Sequence, residues 1–259
     1  MMIDSHCHLN FIEDCGSTEE LINEAVDAGV STIVNIGADL ESSLESVRLA
    51  EEFPQVYATV GVHPHDASTA GGRVIERLRQ LTSRPRVVAI GEIGLDFYRD
   101  LSPRQTQRSV FEKLLRLAAD CRLPVVIHAR EALQETVEIV RDYASGLPGG
   151  VFHCFPGTVD DAEGVFELGF VISVGGVITY KGAGMAEVAR LVPLDKVIVE
   201  TDAPYLTPVP FRGKTNRPAL VRQVYSKLAE LRGMDASEVE KTVDRTCQKL
   251  FALVDVFGD

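Results

Sequence analysis

Eight short runs rich in β-branched residues recur along this 259-residue chain, separated by longer stretches with helical spacing. They are Met2–Ser5, Thr32–Ile36, Val56–Val62, Val87–Ile90, Val125–His128, Val151–His153, Phe170–Val174 and Val197–Glu200. Most are almost continuously apolar, the pattern of parallel strands buried on both faces. Eight strands alternating with helices predict an α/β fold, a closed parallel (β/α)8 barrel rather than an open doubly wound sheet. No Gly-x-Gly-x-x-Gly follows a strand, so a dinucleotide-binding sheet has no support. Barrels of about 250 residues commonly form one unit, so residues 1–259 are expected to be a single domain.

The connecting segments carry helix signals. Ser17-Thr18-Glu19-Glu20 has the form of a capping box. Ser102-Pro103-Arg104-Gln105 combines an N-cap serine, a proline at the first helical position and a glutamine two residues on. The helix it opens bears the stripe Val110, Leu114, Leu117 and Cys121, and this stripe reads as core packing. Asp235 is placed to cap the last helix, with the stripe Val239, Val243, Cys247 and Leu250.

All six histidines fall at or just past the ends of the apolar runs, as do two acids: His6, His8, His63, His65, His128, His153, Glu92 and Asp202. One histidine at a strand end is ordinarily a satisfied core or rim residue. In a barrel, however, every strand end faces one mouth, so these residues converge although they are far apart in the chain. Imidazoles and carboxylates gathered in this way are divalent-metal ligands. His6 and His8 are two apart on an extended strand and point the same way, while Cys7 points to the helix side. Glu92, with two oxygens, can bridge two ions. His128 and His153 complete the second set, and Asp202 can hold the first ion and accept a proton from water. For Asp202 the competing reading is a turn residue before Pro204.

Other groups suit a substrate. His63 and His65 flank Pro64. Arg130 follows His128 by two, so it shares its side and offers a fork for phosphate oxygens. Arg212 and Lys214 lie in a Pro/Gly-rich loop and could do the same, or could be ordinary loop charges. Tyr205 and Phe155 are candidates for stacking on a terminal base, with loop packing as the alternative. Cys154 adjoins His153, but strict alternation turns it the other way, so no Cys–His nucleophile pair is expected.

The net charge of −12 argues against a broad nucleic-acid-coating surface and leaves room only for local phosphate contacts. Five cysteines without Cys-x-x-Cys suit a reducing compartment. The opening Met-Met-Ile-Asp-Ser-His lacks the basic and long apolar regions of a signal peptide, and no run suggests a membrane span. A cytoplasmic protein without a membrane partner is therefore expected. The oligomeric state is open, a monomer included.

The motifs resemble those of the TatD family of metal-dependent deoxyribonucleases, within the amidohydrolase superfamily. They occur in order as Asp4-Ser5-His6-Cys7-His8-Leu9, Gly61-Val62-His63-Pro64-His65-Asp66, and Gly91-Glu92-Ile93-Gly94-Leu95-Asp96-Phe97-Tyr98. Ile127-His128-Ala129-Arg130, Phe152-His153-Cys154-Phe155, Glu200-Thr201-Asp202-Ala203-Pro204-Tyr205-Leu206 and Arg212-Gly213-Lys214-Thr215-Asn216 follow. The resemblance implies a TIM-like barrel holding one or two divalent ions on His6, His8, Glu92, His128, His153 and Asp202, with Asp202 as base. It also implies that His63, His65 and Arg130 lie near a scissile phosphate. Arg217, where the family often has Glu, and Gly182-Ala183-Gly184 depart from its pattern.

The expected activity is hydrolysis of DNA phosphodiesters from single-stranded or frayed ends. Alternatives are an amidohydrolase-type reaction on a C–N bond or an aminoacyl-tRNA ester, or a binding protein without catalysis. Many barrels that act on carbonyl substrates bridge their metals with a modified lysine on strand four. Glu92 stands there instead, which favours phosphodiester chemistry. Several imidazoles favour zinc or manganese over magnesium, without deciding among the three.

Overall fold

The computed structural model describes residues 2–13 and 15–254; Met1, Asp14 and residues 255–259 of the expected 1–259 domain lie outside it. Eight strands run parallel in the order of the chain: β1 Met2–Cys7, β2 Val30–Asn35, β3 Val56–Val60, β4 Val87–Asp96, β5 Val125–Arg130, β6 Gly150–Phe152, β7 Val171–Val174 and β8 Val197–Val199. Each of the eight expected runs overlaps a strand, although several boundaries move. The helices are α1 Thr18–Asp27, α2 Leu40–Glu52, α3 Gly72–Leu81, α4 Arg104–Cys121, α5 Leu133–Tyr143, α6 Val159–Glu167, α7 Gly184–Leu191, α8 Val221–Arg232 and α9 Ala236–Phe251.

The barrel closes where β1 meets the chain after β8. Cys7 bridges to Ala203, the Asp202 amide donates to the His6 carbonyl at 2.9 Å, and the His8 amide donates to Ala203 at 2.8 Å. Deeper in this seam the Asp4 carboxyl accepts from the Thr201 amide at 2.9 Å and its hydroxyl at 2.6 Å. Burial pushes Asp4 up to about 8, against the opposing pull of the Thr201 bonds. Closure matters for function, because it sets His6 and His8 beside Asp202.

Alternation along the strands divides the apolar residues into two cores. Ile3, Val34, Tyr57, Val88, Ala89, Val126, Val151, Val171 and Ile198 draw on all eight strands and pack with Cys247 and Phe251 of α9. A cluster fed by every strand of a closed sheet is its interior, and α9 plugs one end. Cys7 belongs instead to the larger cluster between strands and helices, as expected from the His-Cys-His spacing.

The helix signals hold with one change. Ser17 and Glu20 form a reciprocal capping box, and Asp235 accepts from the Ser237 amide at the start of α9. The expected cap of α4 is shifted: Pro103 takes the N-cap position. Ser102 instead donates to the His65 carbonyl at 2.7 Å and accepts from the Ser68 amide at 3.1 Å. Its hydroxyl is spent on anchoring the His63–His65 loop.

A polar clasp joins β1, α8 and α9. The Tyr225 hydroxyl donates to Asp244 and accepts from the Ile3 amide at 3.2 Å. Burial raises the Asp244 carboxyl from 3.8 to about 7, with the Tyr225 bond opposing. The group's contribution to stability is complete below pH 3.8 and is lost as the pH rises through about 7. The wild-type protein should therefore lose on the order of a few kcal/mol across that window, and Asp244→Asn should lose less. Urea midpoints measured from pH 5 to 8 read the difference; parallel slopes for the two proteins refute it.

Candidate active site

β1 delivers His6 and His8 to the mouth, β4 delivers Glu92, β5 delivers His128, the turn after β6 delivers His153, and the chain after β8 delivers Asp202. Gly94 makes the β4–β5 contact possible. At its φ of +144° a Cβ would stand 1.9 Å from the His128 carbonyl oxygen, so only glycine lets the two strands lie this close.

The two Glu92 oxygens face different partners. Oε2 lies 3.5 Å from His6 Nε2 and 3.7 Å from His8 Nε2. Asp202 Oδ1 is 3.6 Å from each of these nitrogens, which are 3.2 Å from one another. Four donors bonded to one tetrahedral ion at 2.0–2.2 Å would stand about 3.4 Å apart, so this spacing fits a cation. Oε1 lies 2.8 Å from His128 Nδ1 and 2.9 Å from His153 Nε2, with the two nitrogens 3.2 Å apart. The six expected ligands thus form two donor sets sharing Glu92.

Electrostatics bind the cluster together. Burial opposes ionisation of Glu92, yet the charge of His153 and the hydrogen bonds of His128 and His153 hold its carboxyl well below the usual range. Asp202 is likewise held low against burial, by its His8 hydrogen bond and the neighbouring imidazoles. Burial works against charge on His128 and His153 too. Asp96 and Glu92 nevertheless raise His128, and Glu92 and Glu200 raise His153 well above the ordinary value. A cation entering this field displaces those protons, which couples metal affinity to pH.

His63 lies next to the cluster in a different role. Its Nδ1 accepts from the His65 amide at 3.1 Å, so the neutral ring carries its proton on Nε2, 3.5 Å from Glu92 Oε1. Burial holds this ring neutral, well below the ordinary histidine value. His63 therefore presents a donor rather than a lone pair. His65 donates through Nε2 to Asp96 at 2.9 Å. Arg130 lines the cavity with its guanidinium 3.9 Å above the Tyr98 ring, and Tyr205 lines it as well. Arg212 lies over Tyr180 and Lys214 near Phe211; neither lines the cavity. Arg217 reaches Glu24 on α1 at 3.3 Å.

Two expectations need correction. Phe155 is 1% exposed and offers no free stacking face, because its amide is bonded to the Ser173 carbonyl and the ring is drawn into the core. Cys154 is not turned away by alternation: β6 ends at Phe152, and Cys154, at φ +42°, lines an adjoining pocket that shares His128, Arg130, His153 and Asp202 with the cavity. Burial, with Glu200, Asp202 and Glu92 nearby, pushes its thiol well up, which disfavours the thiolate form.

Sequence reasoning passed over Asp96, Glu200 and Phe11. Asp96 is fully buried and accepts from both His65 and His128 Nε2, the latter at 3.2 Å, which leaves His128 Nδ1 facing the cluster. Burial opposes its ionisation, but these bonds and the Arg99 amide hold it below the usual range. Once the strand is seen to run past Gly94, the alternation that puts Glu92, Gly94 and Asp96 on one side accounts for its place. Glu200 accepts from Ser173 Oγ at 2.6 Å and the Cys154 amide at 2.8 Å, and stands 3.5 Å from His153 Nδ1. Such outer carboxylates orient ligating imidazoles. Phe11 stacks on His8 with ring centroids 5.4 Å apart.

A TIM-like barrel with two histidine–carboxylate sets at its mouth defines the class of metal-dependent hydrolases. The model of TatD related DNases matches residues 3–252, and the chain belongs to that family, whose members are hydrolytic enzymes. It is 36% identical to an uncharacterized metal-dependent hydrolase, YabD, of Bacillus subtilis, covering 98% of this chain and all of that one. It is 34% identical to the 3'-5' ssDNA/RNA exonuclease TatD of Escherichia coli, over 97% of this chain and 99% of that one. The crystal structure of YJJV, a TatD homologue from Escherichia coli, superposes with a TM-score of 0.92 at 32% identity, covering 98% of each chain.

Proposed function

We propose that this protein is a metal-dependent exonuclease that removes nucleotides from single-stranded or frayed DNA ends, and from RNA ends by the same chemistry. The observation that carries the reading is the division of Glu92 between two donor sets. One or two divalent ions, zinc, manganese or magnesium, would be held by His6, His8, Glu92, His128, His153 and Asp202. Such ions lower the pKa of water toward neutrality and polarise a phosphoryl oxygen.

The chain's own groups do the rest. Asp202 accepts the proton of the attacking water. His63 donates through Nε2 to a phosphate oxygen. Arg130 neutralises the phosphate, and Asp96 holds His128 and His65 in position. Tyr205 offers a flat face at the rim. Residues 1–259 act as one domain. Five free cysteines suit a reducing cytoplasm, and no described helix is long and apolar enough to cross a membrane. The relatives named as 3'-5' exonucleases support attack from the 3' end.

A linear single strand and a closed circular one of the same composition test the reading. The linear strand should be shortened from one end, with all activity lost to a chelator and restored by added metal. Brisk cutting of the circle would overturn the requirement for an end and leave the hydrolase standing.

A further inference from the structure

Among the described residues the most exposed aromatic side chains are Phe11 at 38%, Tyr98 at 57% and Tyr205 at 54%. All three lie at the mouth. Phe11 follows β1 and Tyr205 follows β8, and they flank His8 with centroids 5.4 and 6.1 Å from its ring. Tyr98 follows β4 and carries the Arg130 guanidinium on its face. In an eight-stranded barrel the β8/β1 seam and the β4/β5 pair are opposite one another. The aromatics therefore form two stations, with the donor sets of Glu92 between them.

The stations differ in charge. Beside Tyr98 stand Arg99 and Arg130, both lining the cavity. Beside Phe11 the cavity continues into a groove lined by Asp39, Glu41 and Glu45, where Arg48 is already paired with Glu45 and Glu52. A strand crossing the mouth bears phosphates on one side of the scissile bond. On the other side, at a chain end, it carries only a terminal nucleoside. Bases stack on exposed aromatic faces whatever their sequence.

We propose that Phe11 and Tyr205 hold the base of the terminal nucleotide, and that Tyr98 holds the base of the next one, with Arg99 beside it for that nucleotide's phosphate and Arg130 left on the scissile phosphate. This rests on the nuclease reading and adds to it a direction across the mouth. The acidic groove beyond Phe11 repels any further phosphate, so the same arrangement selects for an end.

The test uses metal-loaded protein, a short single strand, and two copies of it with an abasic residue at the terminal or the penultimate position. For the wild type, removal of either base should lower kcat/KM by roughly 10-fold or more. Phe11→Leu keeps apolar cover over His8 but loses the flat face. It should raise KM on the intact strand about as much, with kcat and metal content unchanged, and should lose most of its dependence on the terminal base, Tyr205 keeping the remainder. Tyr98→Leu should be indifferent to the penultimate base alone. Independent, multiplying losses would overturn the stacking, and exchanged dependences would overturn the direction. A Phe11→Leu protein that loses metal would show that Phe11 only packs His8, which also overturns it. If the wild type hydrolyses none of the strands the nuclease reading falls. Dissociation constants for the same strands and variants, from fluorescence anisotropy, then decide the stations separately.

Discussion

Glu92→Gln is expected to abolish turnover, lowering kcat on the order of 10³-fold or more, since single preorganised electrostatic groups carry about 10²–10³ each. Glu92 faces both donor sets, with Oε2 3.5 Å from His6 and Oε1 2.8 Å from His128 and 2.9 Å from His153. The amide keeps the shape and removes the charge that holds the imidazoles around it. Both donor sets should weaken together, so bound metal measured on the purified variant should fall well below the wild-type content. Normal metal content together with full activity would sink the bridging role. Loss of metal from only one set would restrict Glu92 to that set.

Asp202→Asn is expected to lower kcat by about 10²–10⁴-fold with a much smaller effect on KM, because a proton acceptor acts in the transition state. In the competing turn reading the side chain would close the turn. The turn is closed by the backbone, with the Tyr205 amide donating to the Asp202 carbonyl at 2.8 Å. The side chain points instead to His6 and His8, 3.6 Å from each. Asp202 sits at φ +57°, a left-handed conformation that asparagine tolerates well, so the variant should fold with a melting temperature close to that of the wild type. An unimpaired kcat with a lowered melting temperature would return Asp202 to the turn.

The sequence by itself determined the architecture of this protein and picked out the histidines and carboxylates that gather at its mouth. Strand runs, caps and stripes are local patterns. The ends of parallel strands in a closed barrel share one mouth, so His6, His8, Glu92, His128, His153 and Asp202 could be gathered from positions along the chain alone. Other features depend on which distant segments meet. β4 runs on through Gly91 and Gly94 to Asp96, though glycines in a sequence read as strand breaks; only the approach of β5 shows Gly94 to be a point of contact and Asp96 the acceptor for His65 and His128. Ser102 reads as a helix cap until the loop bearing His65 is found against it. Phe155 and Phe11 are indistinguishable as letters, yet one is drawn into the core and the other left on the rim beside His8. The tertiary structure alone decided these, because burial and hydrogen-bond partnership belong to pairs of segments rather than to either one.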